Sequence, residues 1–318
     1  MSYYAYGTLF IPKGEFLLSF LLDTHTHGDG ILGFLDEVFL HGLLDTLKLI
    51  PFLFLTYLLM EFIEHRAEDK TRAFVTRAGR LAPLAGGLFG AVPQCGFSAA
   101  AANLYTGRVI GLGALVAIFL STSDEMLPIL ISGEIEVYKV LLILLYKVIV
   151  GILVGFAIDF ILRLIKRPSR EINIDEICDN DNCHCERGIL PSALHHTVTI
   201  FAFVYLFTVA INAAVYFIGD EALASVFYNK PVIGHLIAAL FGLIPNCAAS
   251  VALTTFAKEG FITVGTMLSG LFSGSGVGLL VLFKMNKHLK ENLIIVGILV
   301  LSGVVFGLIA DVIPLLTI

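Results

Sequence analysis

The stretch "LFGAVPQCGFSAAAANL" (88–104) sets a proline, a glutamine and a cysteine in the middle of an apolar run. A second stretch, "LFGLIPNCAASVALTTF" (240–256), nearly repeats it. Leu88-Phe89-Gly90 matches Leu240-Phe241-Gly242, and Pro93-Gln94-Cys95 matches Pro245-Asn246-Cys247, at an offset of 152 residues. The same offset pairs Gly113 with Gly265 and carries Ser121-Thr122-Ser123 onto Ser273-Gly274-Ser275. Upstream, "LHGLLDT" (40–46) resembles "LHHTVTI" (194–200). Blocks that keep their order and spacing mark two related halves, 36–163 and 193–314.

Hydrophobic residues make up 57% of the 318-residue chain and charged ones only 14%, where a soluble domain carries about 25% charge. Apolar runs of about 20 residues, the span of a bilayer core, fall at 36–63, 109–132, 138–163, 193–218, 261–283 and 291–314. The two proline-broken segments, 81–105 and 232–256, lie between them. The chain therefore reads as an all-α polytopic membrane protein. Its opening residues lack the pattern of a cleavable signal peptide. A net charge of −6 says little here, because charge is confined to loops and a few intramembrane points. The five cysteines do not form a disulfide framework, since Cys95 and Cys247 lie in apolar segments and the other three share one polar loop.

Basic residues orient the halves. Arg66, Lys70, Arg72, Arg77 and Arg80 form one cluster; Arg163, Lys166, Arg167, Arg170 and Arg187 form a second; Lys284, Lys287 and Lys290 form a third. The positive-inside rule assigns all three to the cytoplasm. That requires an even number of crossings between the first two, yet three apolar segments lie there. Making 81–105 a re-entrant hairpin with its apex at Pro93-Gln94-Cys95 satisfies the count, and 232–256 then enters from the opposite side. The expectation is an inverted repeat of two halves, each with three spanning helices and one broken or re-entrant segment. The competing arrangement is an eight-span bundle with proline kinks. The expected divisions are a 1–35 extracytoplasmic segment, a 36–163 repeat, a 164–192 cytoplasmic loop and a 193–318 repeat. Irregular backbone at membrane depth is tolerated where it is buried in protein or lines a wet cavity, and inverted repeats with interrupted helices are a recurrent transporter build.

Several polar groups lie inside the apolar segments. Ser121-Thr122-Ser123-Asp124-Glu125 sits halfway along 109–132, and its mate Ser273-Gly274-Ser275-Gly276 halfway along 261–283. Adjacent acids at mid-bilayer mark a functional site by default; the serines and glycines alone would equally serve close helix packing. The transport site is expected from Gln94, Cys95, Ser121, Thr122, Ser123, Asp124, Glu125, Asn246, Cys247, Ser273 and Ser275. The two cysteines have a bland reading as small fillers. In the first helix Glu37, His41, Asp45 and Lys48 share one face, as a proton or ion path or as ion pairs holding helices in register. His195 and His196 occupy the matching place in the second half. Lys147, alone in its segment, needs a buried partner, with Asp124 or Glu125 expected. Glu61, Glu64 and His65 form a metalloprotease-like string that a juxtamembrane helix end explains better.

Loop 171–187, "EINIDEICDNDNCHCER", gathers Cys178, Cys183, His184 and Cys185. Three thiols and an imidazole suit a soft divalent metal, and a reducing cytosol favours metal over disulfide. The bland alternative is a solvated acidic linker. A weaker candidate is "DTHTHGD" (23–29) on the opposite side.

The chain resembles a family labelled as ten-helix heavy-metal exporters and manganese transporters, distantly similar to organoarsenical permeases. "PFLFLTYLLMEFIEH" (51–65), "VPQCGFSAAAANLYTGRVI" (92–110), "STSDEMLPIL" (121–130), "CHC" (183–185) and "GLIPNCAAS" (242–250) carry the resemblance. It implies export of a cation or metalloid across the cell (inner) membrane. Six spans plus two hairpins, each counted as two half-helices, match a ten-helix label. The function expected is therefore a secondary transporter, not an enzyme, that exports a divalent heavy metal such as manganese in exchange for protons. No phosphate-binding glycine loop is present to drive it with ATP. Its partners would be the metal ion and the bilayer, with no nucleic acid, and a homo-oligomer is compatible. No cofactor is required beyond a divalent metal at the loop. The alternatives are a carrier of a metalloid oxyanion or small organic anion, and an intramembrane metal-dependent hydrolase using His41, Asp45 and His195.

Overall fold

The computed structural model describes residues 81–92, 95–122, 126–132, 135–165, 189–218, 231–245 and 247–316, with parts of a helix between 39 and 58. All regular structure among the described residues is helical. The first half contributes α1 (Ala82–Gly90), α2 (Cys95–Thr106), α3 (Leu112–Ser121), α4 (Met126–Ser132) and α5 (Val137–Leu164). After α6 (Ile189–Ile218) come α7 (Pro231–Gly242), α8 (Cys247–Lys258), α9 (Val264–Ser273), α10 (Val277–Met285) and α11 (Leu289–Val312), ended by a short turn at Pro314–Leu316.

Four stretches among the described residues are long and apolar enough to cross a bilayer: Val137–Leu164, Ala193–Ala210, Val264–Met285 and Leu289–Val312. The third is 89% buried inside the protein, the other three only 33%. The interrupted α9–α10 segment is thus a core element, ringed by spans whose large side chains point outward. Leu141, Leu145, Ile149, Leu153 and Phe160 make such an outer face on α5. A helix this apolar on its exposed side suits hydrocarbon, not water.

Glycines let the helices close on one another. Gly151 and Gly155 of α5 lie against α3, where a Cβ would come within 2.8 Å of the Ala117 carbonyl oxygen and 2.6 Å of that of Gly113, respectively. Gly303 and Gly307 of α11 meet α9 the same way, at 2.5 Å from the Ser269 carbonyl and 2.6 Å from that of Gly265. Small residues four apart on one face are what brings helices together in lipid.

The glycine contacts also fix directions. Gly113 lies at Asp159, near the end of α5, and Ser121, at the other end of α3, lies at Gly151; α3 therefore runs antiparallel to α5. In α1, Pro83 touches Gly155, Gly86 meets Ala114 and Gly90 meets Ser121. So α1 runs parallel to α3, from the Asp159 end of α5 to its middle. Two parallel neighbours in sequence require a return between them, and α2 supplies it. Proline has no amide with which to extend a helix, and α1 ends at Gly90, ahead of Pro93 in the sequence. On the far side of its own interruption, α4 leads to the start of α5. The second half is folded alike: α8 and α9 start and end 152 residues after α2 and α3.

Contacts between the halves are specific. The start of α10 packs on α2, where a Cβ at Gly278 would fall 2.8 Å from the backbone of Ser98, and α8 packs on α4. The return helix of each half thus lies against the second piece of the other half's interrupted segment. Glu291, at the start of α11, pairs with Arg108 at 3.3 Å, so α11 begins at the end of the molecule where α5 finishes.

Candidate functional site

The interruptions of α3–α4 and α9–α10 meet around Lys147. This side chain is fully buried in the middle of α5. Its ammonium donates to the Thr122 carbonyl, the last before the first interruption, and at 3.3 Å to the Leu271 carbonyl near the end of α9. The charge also lies 5.8 Å from the centre of the Phe272 ring, within reach of a cation–π attraction. Helix ends leave carbonyls without intrahelical donors, so a lysine between two such ends ties the halves together. Tyr146 adds a second tie, its hydroxyl donating to the Phe306 carbonyl at 2.6 Å.

The second interruption carries an unusual group. The hydroxyl of Ser275 is buried and has no hydrogen-bond partner. Gly276 beside it has φ 52°, a conformation open to glycine at little cost. A buried hydroxyl without a partner is destabilising, so a ligand atom that bonded Ser275 would relieve that cost.

Ser121 and Ser273, expected alongside it, are turned elsewhere. Ser121 Oγ donates to the Ala117 carbonyl at 2.7 Å, and Ser273 Oγ to Ala239 at 2.6 Å and Gly270 at 3.0 Å. Both hydroxyls face the close crossings at Gly90 and Gly242. Thr122 likewise returns its hydroxyl to the Ile118 carbonyl at 2.8 Å. Ser273 thereby ties α9 to α7, whereas the Ser121 and Thr122 hydroxyls bond within α3, and Thr122 gives Lys147 a carbonyl, not a hydroxyl.

A further polar cluster lies on α2 and α6. Tyr57 donates its hydroxyl to Asn103 Oδ1 at 3.1 Å and stacks on the His196 ring at 5.1 Å. All three side chains are buried, and the Asn103 amide nitrogen has no partner. His195 is exposed, its ring 6.2 Å from that of His196. At the far end of the second half, His235 Nε2 lies 3.1 Å from Asp311 Oδ2. A mostly apolar cleft beside Pro245, lined by Phe203, Phe207, Leu280 and Phe283 with Lys284 as its charged group, offers a metal cation no oxygen-rich surface.

Gln94, Ser123, Asp124, Glu125, Asn246, Glu37, His41, Asp45 and Lys48 lie outside the described residues, as does the Cys178, Cys183, His184 and Cys185 loop. Asp124 and Glu125, the expected partners of Lys147, are therefore not placed. Cys95 and Cys247 open α2 and α8 at matching positions, with side chains outside the description. Tyr57, Asn103, His235, Asp159 and Asp311 escaped the sequence reading. Asp159 and Asp311 were open to it, because they too stand 152 residues apart.

A helical chain with four stretches fit to span a bilayer and two interrupted inner segments belongs to the class of polytopic membrane proteins. Residues 36–215 match the model of a family described as "putative, 10TM heavy-metal exporter", and the chain belongs to that family. No curated protein and no solved structure matches it.

Proposed function

We propose that the protein exports a divalent heavy-metal cation, manganese among the candidates, across the cell (inner) membrane in exchange for protons. The observation that carries this reading is Lys147. It holds the Thr122 carbonyl immediately before Ser123-Asp124-Glu125, and the Leu271 carbonyl just before Ser273 and Ser275. In the sequence the first interruption holds Asp124 and Glu125, and in the structure the second holds a hydroxyl without a partner, that of Ser275. Hard oxygen ligands of this kind suit manganese and similar divalent ions. If that acid pair reaches the ammonium, it has two ways to balance its charge, a proton or a metal ion, and exchanging them is antiport. The soft-metal loop at Cys178, Cys183, His184 and Cys185 would receive the ion on the cytoplasmic side.

An inverted repeat fits the contacts. With α5 ending and α11 beginning at the same side, the two similar halves run in opposite senses through the bilayer. The α1–α2 pair then enters and leaves from the cytoplasmic side, and α7–α8 from the other. All three basic clusters fall inside. The protein is read as a carrier without catalytic residues, because a two-sided path explains the doubled architecture and a one-sided hydrolytic site does not.

A second cargo is favoured by Lys147 itself. A buried ammonium, with α2 and α8 starting from the hairpin turns, would also attract a metalloid oxyanion or organic anion. Purified protein in vesicles, offered a panel of metals and oxyanions with internal pH recorded, separates the two. Metal flux with proton movement, lost in Asp124→Asn or Glu125→Gln, is expected. Metal carried at normal rates with unchanged proton movement in both variants would place the coupling site elsewhere, with His41 and Asp45 next in line.

A further inference from the structure

Arg108 is the one non-glycine residue with positive φ among the described residues, at 60°. It closes α2 in a turn where the amides of Val109 and Ile110 both reach back to the Leu104 carbonyl, at 2.8 and 3.3 Å. The second half builds the same turn. There the amides of Phe261 and Ile262 reach the Phe256 carbonyl at 2.9 and 3.4 Å, and the position matching Arg108 is Gly260, with φ 79°. A helix ended this way needs one left-handed residue, and glycine is its usual occupant. Nothing lies within 4 Å of a Cβ placed at Gly260, so the turn itself has no need of a side chain. An arginine there bears a backbone cost that the surroundings must offset.

The offset comes from across the seam. Arg108 Nη1 and Nη2 lie 3.4 and 3.3 Å from Glu291 Oε2, at the start of α11 in the other half. The two side chains are 10% and 16% exposed, enclosed enough to limit screening by salt. The guanidinium also lies 5.4 Å from the centre of the Tyr105 ring. We infer that Arg108 and Glu291 act in transport as a latch, closing the seam between α2 and the second half on the side that carries the basic clusters. The turn disfavours arginine and the ion pair holds it, so the closed seam rests on a contact that can break as a unit. A long, flexible arginine can release and regain its partner while the helices on either side stay folded. The direction of opening, towards the cytoplasm, rests on the export reading; the latch itself does not.

The test places a reporter at Ala102, which is fully buried one turn beyond Ser98 on the same face of α2. Ala102→Cys is made in a chain whose five native cysteines are replaced by serine, and is reconstituted without cargo. Labelling is followed with a membrane-impermeant maleimide. Arg108→Gly and Glu291→Gln are each expected to speed labelling by about fivefold, the release of one partly enclosed ion pair. Arg108→Gly should melt no lower than its parent, since Gly260 already serves in the equivalent turn. Unchanged labelling in both variants overturns the latch, and so does a clear loss of stability in Arg108→Gly, which would make the arginine a packing residue. Because labelling needs no cargo, failure of metal flux would sink the export reading while leaving this outcome to be judged by itself.

Discussion

Asp159 accepts the backbone amide of Gly113 at 3.2 Å, and 152 residues later Asp311 accepts that of Gly265 at 2.8 Å. Each carboxylate comes from the long outer helix and meets the first turn of the interrupted inner one. It thus satisfies an amide left bare at a helix start and lies favourably against the helix dipole. Ordinarily a residue just upstream does this, as Thr263 does for the Thr266 amide at 3.1 Å in the second half; here a separate helix caps a further amide in each half. The bond therefore sets the depth of the inner helix along the outer one in both halves. Asp311 does more, accepting from Thr263 at 2.8 Å and facing His235. In the first half Pro83 holds the position matching His235, so no imidazole faces Asp159 from there.

The glycine contacts give the first prediction. A Cβ at Gly113 would lie 2.4 Å from the Gly155 carbonyl oxygen, and one at Gly265 would lie 2.3 Å from that of Gly307. Backbone cannot yield as a side-chain tip can, so each alanine variant should lose roughly 1–3 kcal/mol. Gly297, with nothing within 4 Å, should gain about 0.5–1 kcal/mol as alanine by improved helix propensity. Thermal unfolding in detergent checks the contrast, and equal effects at all three sites would contradict it.

Lys147→Met keeps most of the buried stem and removes the ammonium. The carbonyls of Thr122 and Leu271 lose a donor, at a cost of about 1–3 kcal/mol for a buried group left unsatisfied. The variant is expected to reach the membrane with a lowered melting temperature and to carry cargo at least about tenfold more slowly, the kinetic equivalent of 1.4 kcal/mol. Full flux with normal stability would remove Lys147 from the site.

Membrane sidedness is open to cysteine labelling. Reporters near Arg77 and Arg108 should react from the same, cytoplasmic side, and reporters near Glu134 and Lys258 from the other. Opposite sides for Arg77 and Arg108 would make 81–105 a crossing, and the hairpin reading would fail.

Replacing Cys178, Cys183 and Cys185 with serine should abolish divalent-metal binding by the full-length protein's loop, measured by metal content after gel filtration. Much of the flux should survive, because the loop lies outside the membrane. Complete loss of flux in well-folded protein would make the loop part of the transport site itself.

Apolar length, the two proline breaks and the 152-residue offset were all legible in the chain, because each is written in local composition. A run of about 20 apolar residues can satisfy its backbone in lipid only as helix, and proline cannot continue one. The parity of basic loops likewise points to a returning hairpin. Side-chain direction was not legible. Ser121, Ser273 and Ser275 look alike in sequence, yet the first two turn to the crossings at Gly90 and Gly242 and only Ser275 is left without a partner. Nor could the chain say that Lys147 spans two helix ends, that Asn103 meets Tyr57, or that Arg108 takes a glycine's conformation to reach Glu291. Those relations join residues 25 to 183 positions apart. Periodicity and propensity act over a few residues, whereas a partner that far away is chosen by how helices pack.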